Sequence, residues 1–367
     1  MNILYISNLT GNLFAGPNHS VPAQIKAQSK IDCVMWYNLN YVKREEWVKN
    51  GLNCKNLSDY PSGRLKDLPQ PFCNPDIAII EEFYCYPFSK IISDLDKENI
   101  PYVIIPRSEL TEQAQKKKAW KKRIGNLLYF KKLAKKAVAI QYLSKQEYVE
   151  SGNKWNKKTL IIPNGTKIEK DYKQEFSYNK IKAVYIGRYE QYQKGLDILL
   201  EAISKTKDIL SKIGFELNMY GVDQEDAISK MNQKIKQYKI ENLININDAV
   251  YGDTKKQILR QSDIFIMTSR FEGMPMGMIE ALSFGLPCVA TTGTNLTFEI
   301  EKYNAGWIAE NTADSVGLAL IKMVEEYGDV KIKGCNARKL ATTFSWETIA
   351  KKSHKEYVEI LGGVYNE

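Results

Sequence analysis

Ile264-Phe265-Ile266-Met267-Thr268-Ser269-Arg270-Phe271-Glu272-Gly273-Met274-Pro275-Met276-Gly277-Met278-Ile279-Glu280-Ala281-Leu282 is the stretch on which the reading of this chain turns. The unbroken apolar run at 264–268 reads as a buried strand. Gly273, Pro275 and Gly277 mark a turn, and Met276–Ser283 reads as a helix. A strand that runs through a turn into a helix leaves free backbone N–H groups and the positive helix end at the mouth of a sheet, where an anion binds. Glu272 lies in the turn and Glu280 about one helical turn further on. They are eight residues apart, but the turn folds back and brings both carboxylates to one ligand, one on each side of its phosphates. There they make charge-assisted hydrogen bonds to hydroxyls. Taken singly, each glutamate reads equally well as an ordinary surface acid.

Outward from this stretch the chain alternates strand and helix twice over. In the first half, strands are expected at Ile3–Ser7, Ile31–Tyr37, Asp76–Glu81, Tyr102–Pro106, Val138–Tyr142 and Leu160–Ile162. Helices are expected at Val21–Gln28, Phe88–Lys97, Gln113–Lys135 and Lys145–Ser151. Asn164–Tyr178 is polar and aperiodic and reads as a linker. The alternation resumes with strands at Ala183–Ile186, Phe215–Tyr220, Leu243–Ile246, Ile264–Thr268 and Cys288–Thr291. The helices of this half fall at Leu196–Lys205, Glu225–Tyr238, Lys255–Gln261, Met276–Ser283, Asp314–Tyr327 and Ile332–Phe344, and Trp346–Leu361 closes the chain. Such alternation means parallel sheets with helices on both faces. The chain has 367 residues, 44% of them hydrophobic, which suits two domains with full cores. The expected fold is α/β, with two doubly wound Rossmann-like domains facing across a cleft. The boundaries are expected at 1–172 with 346–367, and at 173–345.

Two further segments carry charge to the sheet mouths. In Tyr185-Ile186-Gly187-Arg188-Tyr189-Glu190-Gln191-Tyr192-Gln193-Lys194-Gly195 a strand enters a short loop and a helix opens. Arg188 and Lys194 would flank a diphosphate whose charge grows as it departs. Ile162-Pro163-Asn164-Gly165 is a strand ending in a sharp turn.

Pro163-Asn164-Gly165, Gly187-Arg188 through Lys194-Gly195, and the pair Glu272 and Glu280 together resemble the retaining glycosyltransferase family 4, of GT-B fold. The resemblance covers the C-terminal half well and the N-terminal half loosely. It implies that Arg188 and Lys194 neutralise the diphosphate of a nucleotide-sugar and that Glu280 holds its ribose. Glu272 would hold sugar hydroxyls, with Gly187, Gly273, Met274, Pro275, Met276 and Gly277 around sugar and phosphates. Phe14-Ala15-Gly16-Pro17-Asn18-His19 sits where the family has a glycine-rich loop near the donor, which brings in Gly16. His19 and Arg107 fall on the acceptor side. Pro106-Arg107-Ser108 and the basic helix after it resemble bacterial capsular and exopolysaccharide members, many of which carry histidine and glycine at 107 and 108. The resemblance further implies transfer with retained configuration, no divalent metal and no cofactor. It makes the last helix cross back to the N-terminal domain. A uridine donor is favoured over a guanosine one, and the acceptor is a glycan, lipid-linked for preference.

The net charge of +9 resides in one place. Gln115–Lys136 holds ten basic residues and no acidic one, and without it the balance is −1. Trp120, Ile124, Leu127, Leu128, Phe130 and Leu133 recur among the lysines at roughly helical spacing. A basic amphipathic helix suits an anionic membrane, here the inner leaflet; the competing reading is a core helix with solvated lysines. No run of apolar residues is long enough to span a bilayer, and no signal peptide is expected. The six scattered cysteines and two histidines argue against a zinc or disulfide framework and for a cytoplasmic setting. No nucleic-acid module accompanies the charge. Asp94-Leu95-Asp96 lies on a polar helix face and reads as structural, as does His354. Two rivals remain: a soluble synthase of the same fold, and a non-catalytic partner that binds nucleotide-sugar. A dinucleotide oxidoreductase would need a Gly-x-Gly-x-x-Gly after the first strand, which is missing.

Overall fold

The computed structural model describes all residues except 13–15, 50, 88, 117 and 365–367. It divides into two compact units, Met1–Gly165 with Trp346–Glu367, and Thr166–Ser345. The division falls ahead of the expected 172/173. Thr166 N–H already donates to Phe344 O at 2.7 Å, so the chain is paired within the second unit from that residue on. Gly165 belongs with Trp346, whose ring would lie 2.5 Å from any Cβ placed there.

Among the described residues the first unit holds seven strands: β1 Asn2–Ser7, β2 Cys33–Asn38, β3 Cys54–Asn56, β4 Ile77–Glu81, β5 Tyr102–Ile105, β6 Ala139–Tyr142 and β7 Thr159–Ile161. All pairings are parallel, in the order β3-β2-β1-β4-β5-β6-β7. The second unit holds six: β8 Lys182–Ile186, β9 Glu216–Gly221, β10 Ile244–Asp248, β11 Ile264–Met267, β12 Cys288–Thr291 and β13 Gly306–Ala309. They too are all parallel, in the order β10-β9-β8-β11-β12-β13. The central strands are apolar on both faces and wholly buried, as in Ile77–Glu81 and Ile264–Met267, because helices cover both sides. The strands absent from the sequence reading, β3 and β13, are both sheet edges of three or four residues. The short helices Glu45–Lys49 and Thr297–Tyr303 also escaped it.

The last helix, Trp346–Val364, packs on the first unit. Tyr357 OH donates to Gln141 Oε1 at 2.7 Å, Lys352 Nζ donates to Ile161 O at 2.7 Å, and His354 Nδ1 lies 2.9 Å from Asp32 Oδ1. His354 is thus structural. So is Asp94, which accepts from Arg64 Nη1 at 2.5 Å and Leu65 N at 3.1 Å. The first helix begins at Pro17 rather than Val21. Pro17 suits the first helical turn, and the helix carries Pro22 within it.

The expected single helix over Gln113–Lys135 is not one helix. It comprises Glu112–Lys116, Ala119–Gly125, a π turn at Asn126–Phe130, and Lys131–Lys136. Lys118 breaks it in a left-handed conformation, φ 52°. Lys122 Nζ satisfies the Ala114 carbonyl ahead of the break at 2.6 Å. The π turn inserts a residue into the helical register, and the apolar positions before, within and after it fall into two stripes. Phe130 and Leu133 are buried, packed with Tyr84 and Tyr102 in the core. Trp120, Ile124, Leu127 and Leu128 point to solvent, with Trp120 66% and Leu127 83% exposed.

Candidate functional site

A doubly wound sheet binds ligands beyond the carboxyl ends of its strands, where the strand order reverses. In the second unit that point lies between β8 and β11. The chain leaving β8 is Gly187-Arg188, and the chain leaving β11 leads through Thr268 to Glu272 and Gly277. The sheet order therefore brings together two segments nearly 80 residues apart in sequence.

The junction is close. Gly195 opens the helix Leu196–Lys212 at φ 60°. A Cβ there would stand 2.0 Å from Thr268 O, so only glycine allows the two loops to meet. Thr268 Oγ1 donates to Gly195 O at 3.0 Å, and Arg270 N donates to Gln193 O at 2.8 Å. Arg270 forks onto Asp197 with two bonds of 2.7 Å and covers the Tyr192 ring. These ties hold Lys194 opposite Glu272. Lys194 Nζ lies 2.5 Å from Glu272 Oε1, with the side chains 11% and 9% exposed. Ser269 Oγ donates to the same oxygen at 2.6 Å, and Asn295 Nδ2 holds the Glu272 carbonyl.

Arg188 is exposed at the end of β8, and its Nη1 donates to Gln224 Oε1 at 3.2 Å. Tyr185 OH fixes the Arg188 carbonyl at 2.7 Å. Met276–Ser283 is a helix with Pro275 at its cap, so Gly273, Met274, Pro275, Met276 and Gly277 form its approach and first turn. Glu280, in the same helix, pairs with Lys255 of the helix Gly252–Gln261. Lys255, Ser269 and Asn295 were not singled out in the sequence: Lys255 and Asn295 lie outside the quoted motifs and reach the site only through tertiary packing, and Ser269, three residues before Glu272, carries no signal of its own. The arrangement offers two cations and a helix N-terminus to an anion, and two carboxylates to hydroxyls. Among the described residues no three His, Cys, Asp or Glu side chains gather closely enough to hold a metal ion.

In the first unit the strand order reverses between β1 and β4. Gly16 caps the first helix there, and Asn18 Oδ1 accepts from Gly11 N at 2.9 Å, closing the loop. Phe14 and Ala15 lie outside the described residues. His19 is exposed in the first helical turn. Arg107 is buried: Nε donates to Glu81 Oε2 at 2.7 Å, and Nη1 and Nη2 reach Ser20, Asn164 and Gln24. Its guanidinium therefore serves the interior of the unit.

Two doubly wound parallel sheets, each with its own switch point, define the GT-B fold. The crystal structure of Anabaena HepE in complex with UDP superposes with a TM-score of 0.72 at 16% identity, over 98% of this chain and 100% of that one. Residues 180–326, within the second unit, match the family described as glycosyl transferases group 1. An uncharacterised glycosyltransferase of Methanocaldococcus jannaschii is 30% identical over 258 residues, 67% of this chain and 62% of its own length. A putative colanic acid biosynthesis glycosyltransferase, WcaL of Salmonella typhimurium, is 25% identical over 159 residues, 40% of this chain and 38% of its own. The chain spans 62%, 46% and 35% of the length of three of the curated relatives it matches, and 94% of a fourth, another uncharacterised glycosyltransferase of Methanocaldococcus jannaschii at 24% identity.

Proposed function

We propose that this protein is a glycosyltransferase that moves a sugar, with retained configuration and without a divalent metal, from a nucleotide-sugar to a glycan acceptor in the assembly of a bacterial surface polysaccharide. The observation that carries the reading is the buried Lys194–Glu272 pair at the switch point of the second sheet. Arg188, Lys194 and the first turn of Met276–Ser283 take the diphosphate and stabilise its charge as the bond to the anomeric carbon breaks. Glu272 holds sugar hydroxyls and Glu280 the ribose. The acceptor oxygen bonds the anomeric carbon on the face the diphosphate leaves, and its proton passes to a departing phosphate oxygen. A uridine donor is favoured, since the superposed HepE holds UDP. The polysaccharide setting draws on the similarity to WcaL.

The acceptor binds the first unit and is lipid-linked, on the cytoplasmic face of the membrane. The solvent-facing Trp120, Ile124, Leu127 and Leu128, flanked by Lys121, Arg123, Lys131 and Lys132, dock that unit on an anionic leaflet. Each such side chain would gain about 1.5–3 kcal/mol by full burial, which favours this reading over a core helix with solvated lysines. Among the described residues no helix is long and apolar enough to cross a membrane.

The test is nucleotide release from a panel of UDP-, GDP- and ADP-sugars in EDTA, with and without a short prenyl-diphosphate sugar. Acceptor-stimulated release from one donor, lost in Glu272→Gln and Lys194→Ala, is the expected outcome. Binding without turnover across the panel would favour a nucleotide-sugar-binding partner instead. Turnover only on restoring metal would refute the roles given to Arg188 and Lys194.

A further inference from the structure

The mouth of the first sheet holds a polar knot. Arg107 follows β5, Glu81 ends β4, Asn164 sits in the turn after β7, and Ser20 and Gln24 lie in the first helix, Pro17–Gln28. Arg107 Nε donates to Glu81 Oε2 at 2.7 Å, Nη1 to Ser20 Oγ at 3.0 Å and Asn164 Oδ1 at 3.2 Å, and Nη2 to Gln24 Oε1 at 3.0 Å. Four of the five guanidinium donors are thereby engaged. The Arg107 side chain is 5% exposed and that of Glu81 0%. Among the described residues Glu81 has no other ion pair, and its Oε1 has no hydrogen-bond partner.

The backbone here is strained. Arg107 and Ser108 are consecutive non-glycine residues at positive φ, 46° and 69°. Such a pair persists only where its surroundings hold it. The Ser108 N–H is held by the Glu147 carboxylate, which is itself buried and also accepts from Leu143 N at 2.6 Å. The Arg107 side chain supplies the remaining hold. Lysine cannot replace it, because an ammonium is a single point that cannot reach four acceptors on separate segments.

We propose that Arg107 is a positioning residue: its buried guanidinium fixes the first helix, the end of β4, the turn after β5 and the Pro163-Asn164-Gly165 turn as one rigid rim. That this rim receives the acceptor rests on the transferase reading. The immobilisation itself does not. Gly16 and His19 lie on the helix that Arg107 grips through Ser20 and Gln24, so their placement depends on a residue that need not touch substrate.

Two variants of the full chain test this. Arg107→Lys keeps a cation beside Glu81 but loses the fork. The double variant Glu81→Gln, Arg107→Met removes both buried charges and leaves no uncompensated ion. Thermal unfolding, amide hydrogen exchange, UDP binding by calorimetry and nucleotide release from the donor panel are measured on each. At least one variant should melt near the wild type, yet exchange at least tenfold faster over 16–24, 106–109 and 162–166. Exchange in the second unit and the Kd for UDP should stay within twofold, while kcat for acceptor-stimulated release falls at least tenfold. Wild-type exchange in all three segments would overturn the proposal, as would wild-type transfer by a stable double variant. Loss of protection spread evenly over the first unit in both variants would make Arg107 a general pillar and overturn it too. If the wild type releases no nucleotide, the transferase reading falls, and the exchange data alone decide the role of Arg107.

Discussion

Replacing Glu272 by glutamine should tighten binding of free UDP while slowing transfer. Lys194 Nζ lies 2.5 Å from Glu272 Oε1, and little of either side chain meets solvent. A diphosphate that reaches Lys194 must share the ammonium with a carboxylate and bring its own negative charge alongside. Two unit charges about 6 Å apart repel by roughly 3 kcal/mol at an effective dielectric of about 20. Glutamine keeps the shape and the bond from Ser269 but removes this repulsion. Allowing for water entering with the ligand, recovery of about half gives ~1.4 kcal/mol, a tenfold lower Kd. Lys194→Ala acts oppositely. It deletes a charge-assisted bond worth about 1.5–3 kcal/mol, so UDP should bind roughly 10–150-fold more weakly. Calorimetric titration of UDP into the three proteins at low salt reads the signs directly. Nucleotide release run beside it should show transfer by Glu272→Gln slowed about 100-fold, in the range lost with one electrostatic stabiliser. The reasoning is refuted if Glu272→Gln weakens UDP as Lys194→Ala does, for then the carboxylate supports the diphosphate site instead of competing with the ligand for Lys194.

Three further outcomes are expected. The triple change Trp120→Ser, Leu127→Ser, Leu128→Ser should cut flotation with anionic vesicles at least tenfold while leaving UDP binding intact. Wild-type flotation by that variant, or equal binding to neutral vesicles, would sink the docking surface. Glu82 has its carboxyl pushed up to about 7 by burial, with the neighbouring Glu109 adding to it. Its neutral form suits the fold, so its contribution is full below the ordinary carboxylate range and is lost as pH rises through about 7. Glu82→Gln should therefore gain on the order of 1–2 kcal/mol over the wild type at pH 8 and nothing at pH 4, since part of the side chain meets water; denaturant unfolding at both pH values checks this, and a gap independent of pH would contradict it. Gly195→Ala must place a Cβ at φ 60° against Thr268 O. It should cost roughly 3 kcal/mol or more, visible as a fall of about 6–12 °C in Tm.

The central strands were legible because burial on both faces makes them continuous apolar runs, as at Ile77–Glu81 and Ile264–Met267. Edge strands lack that signature. Gly306–Ala309 has one buried face and an exposed Ile308, and four residues are too few to show a period. The place of the Gly187–Gly195 and Glu272–Glu280 motifs at the mouth of the second sheet could be read because each follows from a strand, a turn and a helix in sequence. Lys255 could not, since it meets Glu280 only when two helices pack. The basic segment was legible as amphipathic but not as to which way it faces. A π turn and a left-handed Lys118 set that, and neither leaves a mark in composition. Arg107 was put on the acceptor side only by the resemblance, and its partners, from residues 20, 24, 81 and 164, could not be read from the sequence.

The helix Trp346–Val364 is part of the first unit: its Tyr357 is wholly buried, and its Ile349, Ala350 and Leu361 are also in the core. During synthesis the unit's first 165 residues leave the ribosome without the segment that completes them. At about 5–20 residues per second, the remaining ~200 residues take roughly 10–40 s. For that interval Gln141, the Ile161 carbonyl and Asp32 wait for their partners on Trp346–Val364, while the second unit, contiguous in sequence, emerges whole. The younger part of the chain is therefore free to fold before the older part is finished, and a nascent chain stalled just before Trp346 would carry a complete second unit attached to an unsealed first one.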